Sequence, residues 1–120
     1  MNASVKRISL DLNRQDSMQY VHVRTGDTAK VIIASIAESG TPYELTADTE
    51  AVLAAKAPDG TYIYEGASIV DNHIEVVLPI TFTAAAGMLL ACFRIVGDEA
   101  ALITPDFTIC ISDPAAPEET

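Results

Sequence analysis

Turn-forming residues punctuate this chain at short, fairly even intervals: Thr25-Gly26-Asp27, Ser39-Gly40-Thr41-Pro42, Pro58-Asp59-Gly60, Asp71-Asn72-His73, Gly87, Gly97-Asp98 and Thr104-Pro105. Between them lie short runs rich in Val, Ile, Leu, Tyr, Phe and Thr. A chain interrupted this often has little room for long helices. The rhythm predicts an all-β fold, an antiparallel β-sandwich or barrel, and the expectation adopted is an antiparallel immunoglobulin-like β-sandwich with about eight short strands. It specifies architecture and no chemistry.

Alternation within the runs assigns faces. In Val5 to Leu12 the residues Ile8, Leu10 and Leu12 share one side. In Tyr20 to Arg24, Val21 and Val23 point inward. Ala29 to Ala37 is apolar on both sides, as in a central strand. Glu50 to Ala57 alternates through Ala51, Leu53, Ala55 and Ala57, and Pro58-Asp59-Gly60 turns it back as a hairpin into Thr61 to Glu65. Ser68 to Val70 and His73 to Leu78 read as two further strands joined at Asp71-Asn72. Thr81 to Ala86 reads as one helical turn with Gly87 as its left-handed stop. Met88 to Val96 places Leu89, Ala91, Phe93 and Ile95 inward, Ala101 to Thr104 follows, and Asp106 to Ser112 places Phe107, Ile109 and Ile111 inward. Phe93 and Phe107 are expected to anchor the core, each costing about 3–5 kcal/mol if cut to alanine.

The 120 residues suit one domain, taken as 1–112, followed by a loose acidic and proline-containing tail or linker stub, 113–120. Seventeen Asp/Glu against seven Lys/Arg give a net charge of −10, which disfavours nucleic acid and anionic membrane as partners. Val76 to Phe93 is uncharged and long enough to raise a membrane question. Its Pro79 and Gly87, and the period-two spacing of Ile74, Val76, Leu78 and Ile80, read instead as strand, connection and strand. Met1 to Leu12 has no apolar run after Lys6 and Arg7, so it is not read as a signal peptide.

Candidate chemistry is sparse. His22 and His73 have no ligand-spaced neighbours, so no metal site is assigned. No Ser-His-Asp set with a nucleophile turn appears. Asp11-Leu12-Asn13-Arg14-Gln15-Asp16 lacks the glycine and the closing glutamate of a calcium loop. Cys92 and Cys110 fall offset along their ladder and are expected as free thiols. Asn2-Ala3-Ser4 matches a glycosylation triplet by chance. No catalytic, cofactor-binding or metal-binding residue is assigned, and no cofactor is expected.

Read in order, the turns and their flanks resemble the N-terminal domain of bacteriophage baseplate upper proteins, from tailed phages and prophages of Gram-positive bacteria. The residues that carry the resemblance begin with Asp11-Leu12-Asn13 and Val23-Arg24-Thr25-Gly26-Asp27-Thr28. They continue with Gly40-Thr41-Pro42-Tyr43-Glu44-Leu45-Thr46, Lys56-Ala57-Pro58-Asp59-Gly60-Thr61 and Ile69-Val70-Asp71-Asn72. Ala84-Ala85-Ala86-Gly87, Phe93-Arg94-Ile95 and Thr104-Pro105-Asp106-Phe107-Thr108-Ile109 complete the set, which spans Ser4 to Ser112. The resemblance implies a non-enzymatic structural module of the virion. In the family this β-sandwich attaches the upper baseplate, and through it receptor-binding proteins, to the tail hub around the distal tail protein. The implied partners are that hub protein and other baseplate subunits, with self-association left open. The implied location is the tail baseplate, after synthesis in the bacterial host cytoplasm. Longer members continue into a helical linker and further modules. This chain shows no heptads before Thr120, as an excised domain or a short free-standing relative would. The family brings no catalytic residues.

Exposed-face residues Met88, Leu90 and Val77 are the sequence's candidates for a contact patch. The alternative function is a carbohydrate-binding module, motivated by Tyr62 and Tyr64 on one face together with Tyr43. A small hydrolase on the same scaffold is a third reading, which requires acids or a histidine to converge in a cleft.

Overall fold

The structure is a computed structural model that describes residues 4–13, 19–26, 30–46, 49–84, 86–97 and 101–113. The Asn2-Ala3-Ser4 triplet, most of the loop after Asn13, Asp98-Glu99 and the expected tail lie wholly or partly outside these residues. Among the described residues ten strands and one short helix follow in the order β1 (Ser4–Asp11), β2 (Tyr20–Arg24), β3 (Lys30–Glu38), β4 (Thr41–Pro42), β5 (Glu50–Lys56), β6 (Tyr62–Val70), β7 (His73–Val77), α1 (Ile80–Thr83), β8 (Gly87–Val96), β9 (Ala101–Ile103) and β10 (Phe107–Ser112). The all-β expectation holds.

The strands form one continuous ladder, β1-β3-β7-β6-β5-β8-β10-β2, with β4 beside β3 and β9 beside β8. The first half of β6 pairs with β5, from Lys56↔Tyr62 to Ala51↔Ala67. Its last three residues pair with β7, from Ser68↔Glu75 to Val70↔His73. One strand therefore belongs to both layers. The expected strands Thr61 to Glu65 and Ser68 to Val70 are thus one strand. Gly66 lies inside β6, with open space where a Cβ would project.

Pairing within the sandwich is antiparallel, but both ends of the ladder are parallel. β1 runs parallel to β3, from Ser4↔Lys30 to Asp11↔Ala37, and β2 runs parallel to β10, from Thr108↔Tyr20 to Ser112↔Arg24. Each parallel partner is distant in sequence, so neither direction leaves a turn signal to read.

The inward residues of both layers meet in one core, including Ile8, Leu10, Val21, Ile32, Leu53, Ile74, Leu89, Ile109 and Ile111. Phe93 and Phe107 lie at its centre with ring centroids 5.5 Å apart and planes at 24°. Phe82 is a third anchor that the sequence reading passed over. Helix α1 spans only Ile80–Thr83 and tips Phe82 and Thr83 into the core. Ile80, expected to continue the inward row of Ile74, Val76 and Leu78, is exposed because the strand has ended and the helix has begun. Gly87 does not stop a helix in the left-handed helical conformation. It opens β8 with φ +146°, and a Cβ there would come within 3.3 Å of Pro58 Cγ.

Candidate functional site

The turn residues, which look most like site residues in the sequence, are bound to one another. Ser39 and Gly40 form the two-residue turn between β3 and β4 with φ of 52° and 85°. Positive φ at both positions is the type I′ hairpin geometry. It is strained for serine. The Asp11 carboxylate offsets this by accepting the N–H groups of Ser39 at 2.9 Å and Gly40 at 2.7 Å, and also that of Asn13 at 2.9 Å. Asn13 Nδ2 donates to Ser39 Oγ at 2.7 Å. What reads as a fragment of a calcium loop is a clamp on a hairpin.

The remaining turns behave similarly. Asn72, with Asp71 in a second turn of positive φ, accepts the Leu45 N–H at 2.7 Å and donates to the Tyr43 carbonyl at 3.1 Å. Asp59 accepts the Thr61 N–H at 2.9 Å across the β5–β6 hairpin, and this bond holds its pKa below the ordinary carboxylate value. Thr25 donates its N–H to the Ser112 carbonyl at 3.0 Å and its hydroxyl to Asp113 at 2.7 Å. Between β9 and β10 the register against β8 slips by one residue, from Arg94↔Ile103 to Ala91↔Phe107. Thr104 fills this bulge: its N–H donates to the Phe93 carbonyl and its hydroxyl accepts the Phe93 N–H at 2.9 Å.

The histidines lie apart. His22 is on the outer side of β2, where its ring stacks beside Tyr20 at 6.5 Å, and His73 is half-buried at the start of β7. Among the described residues no group of three or more His, Cys, Asp or Glu side chains gathers into a metal-binding arrangement. Cys92 and Cys110 are unpaired thiols, with Cys110 opposite Met88 and thus four residues along β8 from Cys92. Partial burial pushes the Cys92 thiol up, aided by the charge of Asp106 and opposed by Arg94. A groove of about 190 Å³ lined by Tyr43, Leu45, Thr49, Ile95 and Leu102 is smaller than a typical small-molecule site. Among the described residues no helix is long and apolar enough to cross a membrane.

What the register does assemble is an outer face on the layer formed by β2, β5, β8, β9, β10 and the first half of β6. One row crosses five strands as Tyr62, Lys56, Leu90, Thr108 and Tyr20, a span of about 19 Å. A second row is Met88, Cys110 and His22; a third runs Tyr64, Ala54 and Cys92. Tyr62 and Tyr64 are each 57% exposed, with ring planes at 16° and centroids 6.4 Å apart, and Lys56 Nζ lies 5.9 Å from the Tyr62 centroid. Met88 is 62% exposed and Leu90 45%. Val77, grouped with them from the sequence, projects from the other layer, opposite Val31. Tyr43 does not join Tyr62 and Tyr64; it is half-buried against the core. Strand alternation yields each residue's side but not which strands are neighbours, so the face is visible only once the pairing is known.

The sequence matches the BppU N-terminal domain over residues 5–117. The chain belongs to that family. Among solved structures, the N-terminal domain of phage TP901-1 ORF48 is similar with a TM-score of 0.75 and 17% identity. The likeness covers 92% of this chain and 99% of that one, and at this identity it speaks for the fold. No curated protein sequence matches the chain. As a BppU-type domain the chain is a structural module of a phage baseplate, and its place is the virion tail. The clamped turns then read as the parts that hold a BppU-type sandwich in shape.

Proposed function

We propose that this BppU-type domain attaches the upper baseplate, and through it receptor-binding proteins, to the tail hub around the distal tail protein, by protein–protein contact and without catalysis. The observation that carries the reading is the family match over residues 5–117. The engagement of Asp11, Asp59, Asn72 and Thr104 in turns and a bulge supports it, since these polar groups are committed to the scaffold. The protein is made in the bacterial host cytoplasm and works in the assembled tail. Size-exclusion chromatography with light scattering, on a mixture with the distal tail protein of the same phage, is expected to show a complex at micromolar concentration. Two separate peaks at every ratio would remove the reading.

A second reading, a carbohydrate-binding surface, rests on the parallel, exposed rings of Tyr62 and Tyr64. It requires glycan-array binding that Tyr62→Ala and Tyr64→Ala abolish; an empty array excludes it.

A further inference from the structure

The outer face that bears Leu90 differs in charge from the rest of the molecule. Seven of the eleven large hydrophobic side chains exposed among the described residues project from it: Tyr20, Tyr62, Tyr64, Met88, Leu90, Val96 and Ile103. The same face carries Arg24, Lys56 and Arg94, three of the chain's seven cations. Of the described acids, Glu50 and Asp106, whose charge acts on Cys92, accompany them. The other described surfaces hold eight acids against three cations. An apolar field with cations set among its side chains, on a chain of net charge −10, is complementary to an apolar surface interspersed with carboxylates.

We propose that this face, centred on Leu90, Met88 and Tyr62 with Lys56 and Arg94 set among them, is the docking surface of the domain, and that its partner presents apolar side chains interspersed with Asp and Glu. The proposal rests on the attachment role above and adds to it the face and the chemistry of the partner. A second copy of the chain fits less well. Face to face, it would bring like cations together. Its other surfaces supply carboxylates but expose few large apolar groups, namely Val5, Val70, Val77 and Ile80 among the described residues.

Bio-layer interferometry against the immobilised distal tail protein of the same phage tests the assignment. Leu90→Ser and the charge reversals Lys56→Glu and Arg94→Glu are expected to weaken binding at least tenfold. Val77→Ser and Arg7→Glu, on the outer side of the other layer, are expected to leave it within twofold. Wild-type affinity is expected to fall as salt is raised. The charge reversals alter exposed side chains, and a thermal melt of each variant establishes that it is folded. If the wild type binds and the Val77 and Arg7 variants weaken it while the other three do not, the face is wrong and the attachment role stands. If the wild type does not bind, both fall. A dimer in light scattering that Leu90→Ser dissolves would make a second copy the occupant and overturn the proposed partner.

Discussion

Asp11 illustrates how much of this fold depends on single polar side chains. Its carboxylate accepts three backbone N–H groups, and two of them belong to a turn 28 and 29 residues further along the chain. Replacing it with alanine leaves a serine at positive φ with no acceptor for its N–H. Asp11→Ala is expected to cost about 1–3 kcal/mol, as a lower urea midpoint at unchanged slope. Asp59 adds a pH dependence. Its folded pKa lies below the ordinary carboxylate value of 3.8, so its contribution is present above that value and lost as pH falls through the folded pKa. The stability difference between wild type and Asp59→Ala is therefore expected to shrink as urea titrations are moved from about pH 6 to about pH 2.

At the scale of elements, the glycines give a paired test. Gly87→Ala imposes a Cβ at φ +146° and 3.3 Å from Pro58 Cγ, and is expected to destabilise by about 1–3 kcal/mol. Gly66→Ala meets nothing within 4 Å and has no positive φ, so it is expected to be neutral or to stabilise by up to about 1 kcal/mol. Parallel thermal melts of the two variants check the contrast. The same pair marks the limit of sequence reading. A glycine in a strand run is an ordinary signal for a break, yet of these two only Gly87 needs its missing side chain. The strands themselves were legible, down to the inward row Leu89, Ala91, Phe93 and Ile95, because burial follows a period of two. Phe82 was not, since a four-residue helix has no periodicity to detect. The docking face was not either, because Tyr62, Leu90 and Tyr20 are separated in sequence and meet only through the β6-β5-β8-β10-β2 order. The turn residues were found but their work was hidden, since Asp11 and Ser39, or Asn72 and Leu45, disclose their bonds only in three dimensions.

For the whole molecule, β6 joins the layers and the core is shared, so neither layer has an independent interior. Unfolding is expected to be a single transition, with tyrosine fluorescence and far-ultraviolet circular dichroism superimposing on one curve and the calorimetric enthalpy equal to the van't Hoff value. Two resolved transitions would show that the layers part before they melt. The parallel pairing of β2 with β10 has a consequence for synthesis. Thr25 and its partner Asp113 are 88 residues apart, so β2 leaves the ribosome about 4–18 s before the strand it needs has been translated. Until β10 emerges, β8 lacks its partner as well, and nascent chains carry unpaired apolar strands. The excess of carboxylates then acts before the sandwich exists, as mutual repulsion between growing chains that discourages one half-made sheet from completing itself with another.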